Sequence, residues 1–316
     1  MLDVVTVGES MVQLTPTRTG LLRYATRFER FVAGAESNVA IGLTRLGHTA
    51  GWVSRLGSGE FGACVEAAIR GEGVDVSSVV RDSDAPTGVY FKERRQSDLT
   101  RVYYYRAGSA ASRLAPEDID PDYIEQATFV HLTGITPALS ATCREAVWKV
   151  LRIAGREGIR VSLDPNIRRR LWPEDEARDV LLEMLSHTHL VLAGREEAKL
   201  LASAEAPEEA ARTLRAMGPE HVVVRLGAEG ALAVGPSDEV MHAPALPVDV
   251  VEPVGAGDAF NAGFLAGQLR GWDLGASLRL GNILGGLATT ASGDVEALPT
   301  WEEVQAHLDD ASIISR

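Results

Sequence analysis

The chain has 316 residues, 45% of them hydrophobic, which is enough for a sizeable core in one large domain or in a core with a small appendage. Its formal net charge of −13 repels phosphate backbones and anionic membranes, so neither nucleic acid nor a membrane is expected as a partner. A small anionic ligand stays admissible, because local donors and helix N-termini outvote the global field. Two cysteines, Cys64 and Cys143, are too few for a disulfide framework and are expected as buried thiols. The start, DVVTVG, lacks the basic and long apolar regions of a signal peptide, and no run is apolar enough to span a bilayer, so a cytoplasmic protein is expected.

Asp3 to Gly8 is a short apolar run closed by glycine and predicts a buried strand. Val39, Leu43 and Leu46 fall at helical spacing, which predicts a helix from Ala35 to Leu46, stopped by Gly47. Val53 lies in another strand, and Gly59 to Arg70 reads as a helix ending near Gly71.

Two stretches break this rhythm, roughly 12–32 and 88–106. The second holds VYFKERR and RVYYYR around a polar QSDLT turn, a hairpin rich in tyrosine and β-branched residues. Alternation puts Val102, Tyr104 and Arg106 on one face and Tyr103 and Tyr105 on the other. A small sheet standing off the body as a lid is expected, with one face to a ligand and the other to a second subunit. A meander packed on the core is the alternative.

From Ser140 onward helices and strands alternate. Ser140 N-caps a helix running to about Arg156, and IRVSLD is a strand ending at Asp164. A helix follows from about Pro173, which suits a first helical position. HLVLA, HVVVRLG and ALAVG read as strands, and REEAKLL opens a helix. GAGDAFNAGFLAGQLRG and LGASLRLGNILGGLATTAS close the pattern as helices. Repeated strand–helix units imply an α/β fold, with a mainly parallel central sheet flanked by helices on both faces. His187 and His189 share a strand face, but no third ligand accompanies them, so ordinary histidines are expected.

The most informative stretch is VEPVGAGDAFNAGF. Gly255, Ala256 and Gly257 sit just before a helix, where small residues let backbone N–H groups converge on an anion. Asp258 follows in the first turn. There it either completes the helix N-terminus or takes a proton from a hydroxyl that attacks a phosphoryl group held by the loop. The GK[ST] ending of a Walker A loop is absent.

This GAGD helix start near the C-terminus, together with AGAESNVAIGLTRLG (33–47) and Gly57, resembles the ribokinase-like (PfkB) carbohydrate kinases over essentially the whole chain. The resemblance implies a ribokinase-like fold of one catalytic domain, 1–316, with the lid segments inserted. It implies ATP and Mg2+ as partners of the reaction, with K+ as an open addition; a homo-oligomer formed through the lid is expected from the tyrosine-rich strands of the lid.

Within the family, AGAESN, RVYYYRAGSAAS, LTGITPALS and LDPNIRRRLW are most similar to the members that phosphorylate 2-keto-3-deoxygluconate. That implies ATP-dependent phosphorylation of a sugar acid to 2-keto-3-deoxy-6-phosphogluconate. Kinases for fructose, ribose or a deoxygluconate relative are the nearest alternative, and a non-catalytic sugar or nucleotide sensor is a further one.

By the same resemblance Asp258 is the base and Gly255, Ala256 and Gly257 form the anion hole. Gly34, Ala35, Asn38, Tyr90, Tyr104, Tyr105, Arg106, Arg168 and Asp294 would contact the sugar acid. Arg106 is the first candidate for its carboxylate, and Arg168 for the carboxylate or the transferred phosphate. Three consecutive arginines at a helix start would oppose the macrodipole, which suggests anion recruitment.

Asn166, Arg225, Gly227 and Gly230, with Gly255 and Gly257, would lie along ATP, and Glu197 would approach Mg2+ through water. The chain departs from the family pattern at Gly194, where Asn is usual, and at Glu252 and Pro253, where Asp-Thr is usual.

Overall fold

The computed structural model describes residues 1–96 and 99–314, so the centre of the expected QSDLT turn lies outside the described residues. The chain opens with β1 (Leu2–Val7), leaves it for β2 (Met11–Pro16) and β3 (Phe28–Ala33), and returns through α1 (Ala35–Arg45), β4 (Ala50–Gly57), α2 (Glu60–Gly71) and β5 (Val79–Asp82). It leaves again for β6 (Val89–Gln96) and β7 (Leu99–Tyr105), then passes α3 (Pro121–Ile124), β8 (Ala127–Thr133), α4 (Ile135–Leu139) and α5 (Ala141–Glu157). Next come β9 (Arg160–Asp164), α6 (Glu174–Leu185), β10 (Leu190–Gly194), α7 (Arg195–Ala202), α8 (Pro207–Arg215) and β11 (His221–Arg225). The hairpin partners β12 (Ala231–Val234) and β13 (Val240–Ala243) and the helices α9 (Ala256–Leu269), α10 (Leu274–Ala288) and α11 (Trp301–Ile314) complete it.

The main sheet has the order β13-β12-β11-β10-β9-β8-β1-β4-β5, parallel except where β12 and β13 pair antiparallel. From β1 the chain builds first toward β5 and later, from β8, in the other direction. The order therefore reverses between β1 and β8, and an open α/β sheet forms its crevice outside the carboxyl ends at such a point.

Period-two alternation separates two cores. Val5, Val7, Val191, Ala193, Val222 and Val224 face one side with α5, α6, α7 and α8. Val4, Leu192 and Val223 face the other with α1, α9 and α10.

The two stretches that broke the sequence rhythm supply a second sheet, β3-β2-β6-β7. It is mixed: β2–β3 and β6–β7 are antiparallel, while β2 and β6 run parallel and join the two insertions.

Several local expectations are revised. Ser140 caps α5 by accepting from the Cys143 N–H at 3.1 Å, as expected. Pro173, however, is the N-cap of α6 rather than its first residue. Arg168, Arg169 and Arg170 precede that cap, and the first turn carries Glu174, Asp175 and Glu176 instead. The arginines therefore lie outside the helix field, and the macrodipole cost does not apply to them. Cys143 is buried but Cys64 is only half-buried, with the Arg30 guanidinium donating to its sulfur at 2.7 Å.

Helices α1 and α9 approach closely because Gly42 has no side chain; a Cβ there would stand 2.6 Å from the Cβ of Ala262. Gly42→Leu is expected to lower stability by about 1–3 kcal/mol through overpacking, measurable by urea denaturation.

Candidate active site

The carboxyl ends of the parallel strands deliver side chains to one place. Glu9 follows β1, Asp164 ends β9, Glu197 lies in the first turn of α7 after β10, and Arg225 ends β11. With Asn38 of α1, the start of α9, and Tyr90, Lys92, Val102, Tyr104 and Arg106 from the small sheet, they line a cavity of about 380 Å³. Gly34, Ala35, Asn166, Arg168, Gly255, Gly257, Asp258 and Asp294 line it too, so most of the residues singled out in the sequence converge here.

Gly255 is the N-cap of α9 with φ +85, and a Cβ on it would lie 2.8 Å from the Asp294 carbonyl, so conformation and space both require glycine. Ala256, Gly257 and Asp258 are the first three residues of the helix; the Ala256 N–H donates to the Pro253 carbonyl at a long 3.4 Å, and those of Gly257 and Asp258 meet no carbonyl one turn back among the described residues.

Asp258 is held by Asn38, whose Nδ2 donates to Oδ2 at 2.8 Å. Burial pushes its carboxyl up to about 7. The Asn38 bond opposes that shift, Asp164 and Asp294 add to it, and the Arg168 charge opposes it. A carboxylate with that affinity takes up a hydroxyl proton at neutral pH far better than an ordinary surface aspartate.

Asp294 is also raised by burial, with Lys92 opposing, and its Oδ2 lies 3.5 Å from Asn38 Nδ2. Asp164 goes the other way. Burial alone would raise it, but the Arg225 guanidinium at 2.9 and 3.0 Å and the Asn261 amide at 2.7 Å hold it low.

Arg225, placed by sequence along the nucleotide phosphates, is therefore engaged as an internal strut; it also donates to Asn261 and to the Gly257 carbonyl. Asn166 takes a left-handed backbone, φ 37, and donates its N–H to Asp164 Oδ1, which turns the chain out of β9 into the cavity wall.

Tyr90 is buried, donates its hydroxyl to Gln13, and packs against Tyr104 at 5.4 Å. Tyr105 is not part of the cavity. It points to the other face of the sheet, 68% exposed and edge-on to Phe91, as strand alternation requires once Tyr104 faces in.

Arg106 is not free: its Nε donates to Glu9 Oε2 at 2.7 Å and its Nη2 also pairs with Glu9, so Nη1 is the atom left for a ligand. Glu9 was not legible in sequence. The Ser109 hydroxyl, 2.5 Å from Glu9 Oε1, fixes its far side.

A second cleft of about 580 Å³ adjoins the first and shares Arg225, Pro253 and Gly257 with it. Gly227, Gly230, Ala256, Gly285 and Gly286 line it with Leu246, Val248, Val250 and Phe260. Gly285 and Gly286 leave the floor bare, and an apolar slot that ends at a helix N-terminus fits a purine base with its phosphates at the helix.

Glu197 accepts from the N–H of Gly194 at 2.8 Å and of Ile167 at 2.8 Å, which makes it the reciprocal cap of α7; burial raises its pKa. Gly194 thus contributes its backbone where a side chain was expected. With Asp164 committed to Arg225 and Glu197 to two backbone N–H groups, this donor set fits a Mg2+ that would be held mainly by the nucleotide and its own waters.

Residues 1–301 match the model of the pfkB family carbohydrate kinases. The chain belongs to this family.

It is 39% identical to the 2-dehydro-3-deoxygluconokinase of Thermoproteus tenax over 98% of this chain and 94% of that one. It is 38% identical to the enzyme of the same name from Bacillus subtilis, over 97% and 95%. A crystal structure of an Escherichia coli protein assigned as ribokinase II, in complex with ATP and Mg2+, superimposes with a TM-score of 0.91 at 26% identity, covering 98% of this chain and all of that one.

One feature of this pfkB chain escaped the sequence reading. Lys92, 1% exposed, reaches from β6 beneath the anion-hole loop to pair with Glu252, and lies 3.8 Å from Asp294. Glu252 in turn accepts the Gly293 N–H at 3.3 Å. The departure at 252 is thus matched by a buried lysine. The available signal was parity, since Lys92 shares its strand face with Tyr90.

Lys92→Met leaves two buried carboxylates without their cation and is expected to cost about 3–5 kcal/mol of stability, read by urea denaturation. The kcat/KM for the phosphoryl acceptor should rise with pH and level off above about 7, where Asp258 is ionised. Asn38→Ala removes a donor to the ionised form and should move that midpoint upward.

Proposed function

We propose that the protein transfers the γ-phosphoryl group of ATP to the terminal primary hydroxyl of 2-keto-3-deoxygluconate, giving 2-keto-3-deoxy-6-phosphogluconate. The observation that carries the reading is Asp258: a half-buried carboxylate, pushed up to about 7, at the N-terminus of α9, in a cavity that also holds Arg106 and Arg168. The names of the two relatives supply the substrate, and the arginines fit its carboxylate.

The sugar acid lies between the start of α9 and the small sheet, its carboxylate on Arg106 and its hydroxyls near Gly34, Ala35, Asn38, Tyr90, Tyr104 and Asp294. Asp258 accepts the proton of the attacking hydroxyl. The N–H groups of Ala256, Gly257 and Asp258, with the Gly255 turn behind them, hold the charge that develops on the transferred group. Arg168, whose charge is felt at Asp258, faces that same group. The nucleotide occupies the apolar cleft, with Gly227 and Gly230 along it. Mg2+ enters with the nucleotide and offsets phosphate charge. K+ has no assigned place in this scheme, because Lys92 already fills the pocket beside Glu252 with a cation.

The chain forms one catalytic unit in which segments 12–32 and 88–106 act as a lid that excludes water during transfer. The outer face of the lid, with Phe28, Phe91, Tyr103 and Tyr105, joins a second copy of the chain. Light scattering is expected to give a dimer or larger assembly, and a monomer at all concentrations removes that part of the reading.

Asp258→Asn is expected to lower kcat by about 10²–10⁴-fold with an unchanged fold, measured by ADP release and circular dichroism. In the same assay 2-keto-3-deoxygluconate is expected to exceed its galactonate epimer, gluconate, fructose and ribose in kcat/KM, by about a hundredfold for the neutral sugars. Arg106→Ala should lose sugar acids selectively. A neutral sugar as best substrate would retain the phosphoryl-transfer chemistry and replace the acceptor.

A further inference from the structure

Five arginines line a further cavity, of about 830 Å³, between the small sheet and the segment after β9. Arg101 and Arg106 come from β7 and the residue after it, and Arg168, Arg169 and Arg170 from the segment after β9. No aspartate or glutamate lines this cavity among the described residues. β7 is the edge strand of its sheet, and Arg170 Nη1 donates to the Val102 carbonyl at 2.8 Å, spanning the gap.

About half of the arginines of this acidic chain sit beside carboxylates among the described residues, as Arg45 does with Glu72 and Arg212 with Asp238. Here Arg106 is paired with Glu9 and Arg169 with Glu174, but Arg101, Arg168 and Arg170 meet no carboxylate within 4 Å among the described residues. Arg101 stands opposite Glu93 in the β6–β7 ladder and Arg168 acts on Asp258, but neither carboxylate lines this cavity, so the guanidinium charges that do line it repel each other across the line where lid and body meet. They also draw anions into it.

The substrate carboxylate is a single charge and is met at Arg106, on the boundary with the catalytic cavity, so it leaves this excess in place. A dianion with three or more acceptor oxygens matches the excess in charge, and matches the planar forks in geometry.

We propose that this cavity is a second anion site that takes a phosphate dianion, either free or as a phosphate monoester. Held by Arg101 on the lid and Arg170 on the body, the dianion ties β7 to the 167–171 segment. Because Arg106 and Arg168 line both cavities, its occupancy competes with the sugar acid and not with the nucleotide.

The test is isothermal titration of the full chain with its nucleotide cleft filled by a non-hydrolysable ATP analogue, using inorganic phosphate in one arm and 6-phosphogluconate in the other. One dianion is expected to bind per chain, and Arg101→Ala and Arg170→Ala are each expected to weaken it about tenfold. Arg101→Ala is expected to keep the wild-type kcat and melting temperature, since Arg101 lies outside the catalytic cavity. Tighter binding in the second arm assigns the site to phosphorylated sugar acids, and equal binding assigns it to the free ion. Absence of binding in both arms overturns the proposal, as does binding that neither variant weakens, or inhibition by phosphate that is competitive with ATP alone. The binding readout stands whichever sugar proves to be the acceptor.

Discussion

The hydrogen bond from Asn38 to Asp258 joins two helices whose residues lie 220 positions apart, and the rest of the site is arranged around it. One turn further along each helix Gly42 meets Ala262, so the separation that lets the amide reach the carboxylate is set by packing. The N-terminus of α1 is fixed in turn by the loop after β1: a Cβ on Gly34 would lie 2.4 Å from the Glu9 carbonyl. The loop after β1, the N-terminus of α1 and the start of α9 thus hold the Asp258 carboxylate in a fixed place in the cavity.

The electrostatic plan follows from which carboxylates have a cation. Glu9 has Arg106, Asp164 and Glu197 share Arg225, and Asp294 has Lys92. Asp258 alone among the cavity acids forms no ion pair among the described residues, and its side-chain partner is the Asn38 amide. Burial then acts on it with little opposition. Burial raises Asp294 and Glu197 as well, against the charges of Lys92 and Arg225, whereas Asp164 is held low by Arg225 and Asn261.

The alternating strand–helix pattern and the two signatures, AGAESN and GAGD, were legible because each is local: period-two and helical spacings, and glycines before a helix. The insertions were visible as breaks in that rhythm, but not the parallel β2–β6 pairing that makes them one sheet, since the paired residues, such as Val12 and Val89, lie 77 positions apart along the chain and carry no shared local pattern. Tyr105 was misassigned by taking neighbouring tyrosines together, although alternation already separated it from Tyr104. Glu9, Lys92 and the committed role of Arg225 were missed for a common reason. A buried ion pair is a property of two distant positions, and each partner alone reads as an ordinary polar residue in a strand or loop.

Lys92, Glu252 and Asp294 belong to a strand of the small sheet, the loop before α9 and the segment after α10. None of the three can change alone without stranding charge in the interior. Where related chains carry a different residue at the position of Glu252, the position of Lys92 should differ with it. Such paired change would mark lineages through the floor of the site rather than through the groups that line its opening.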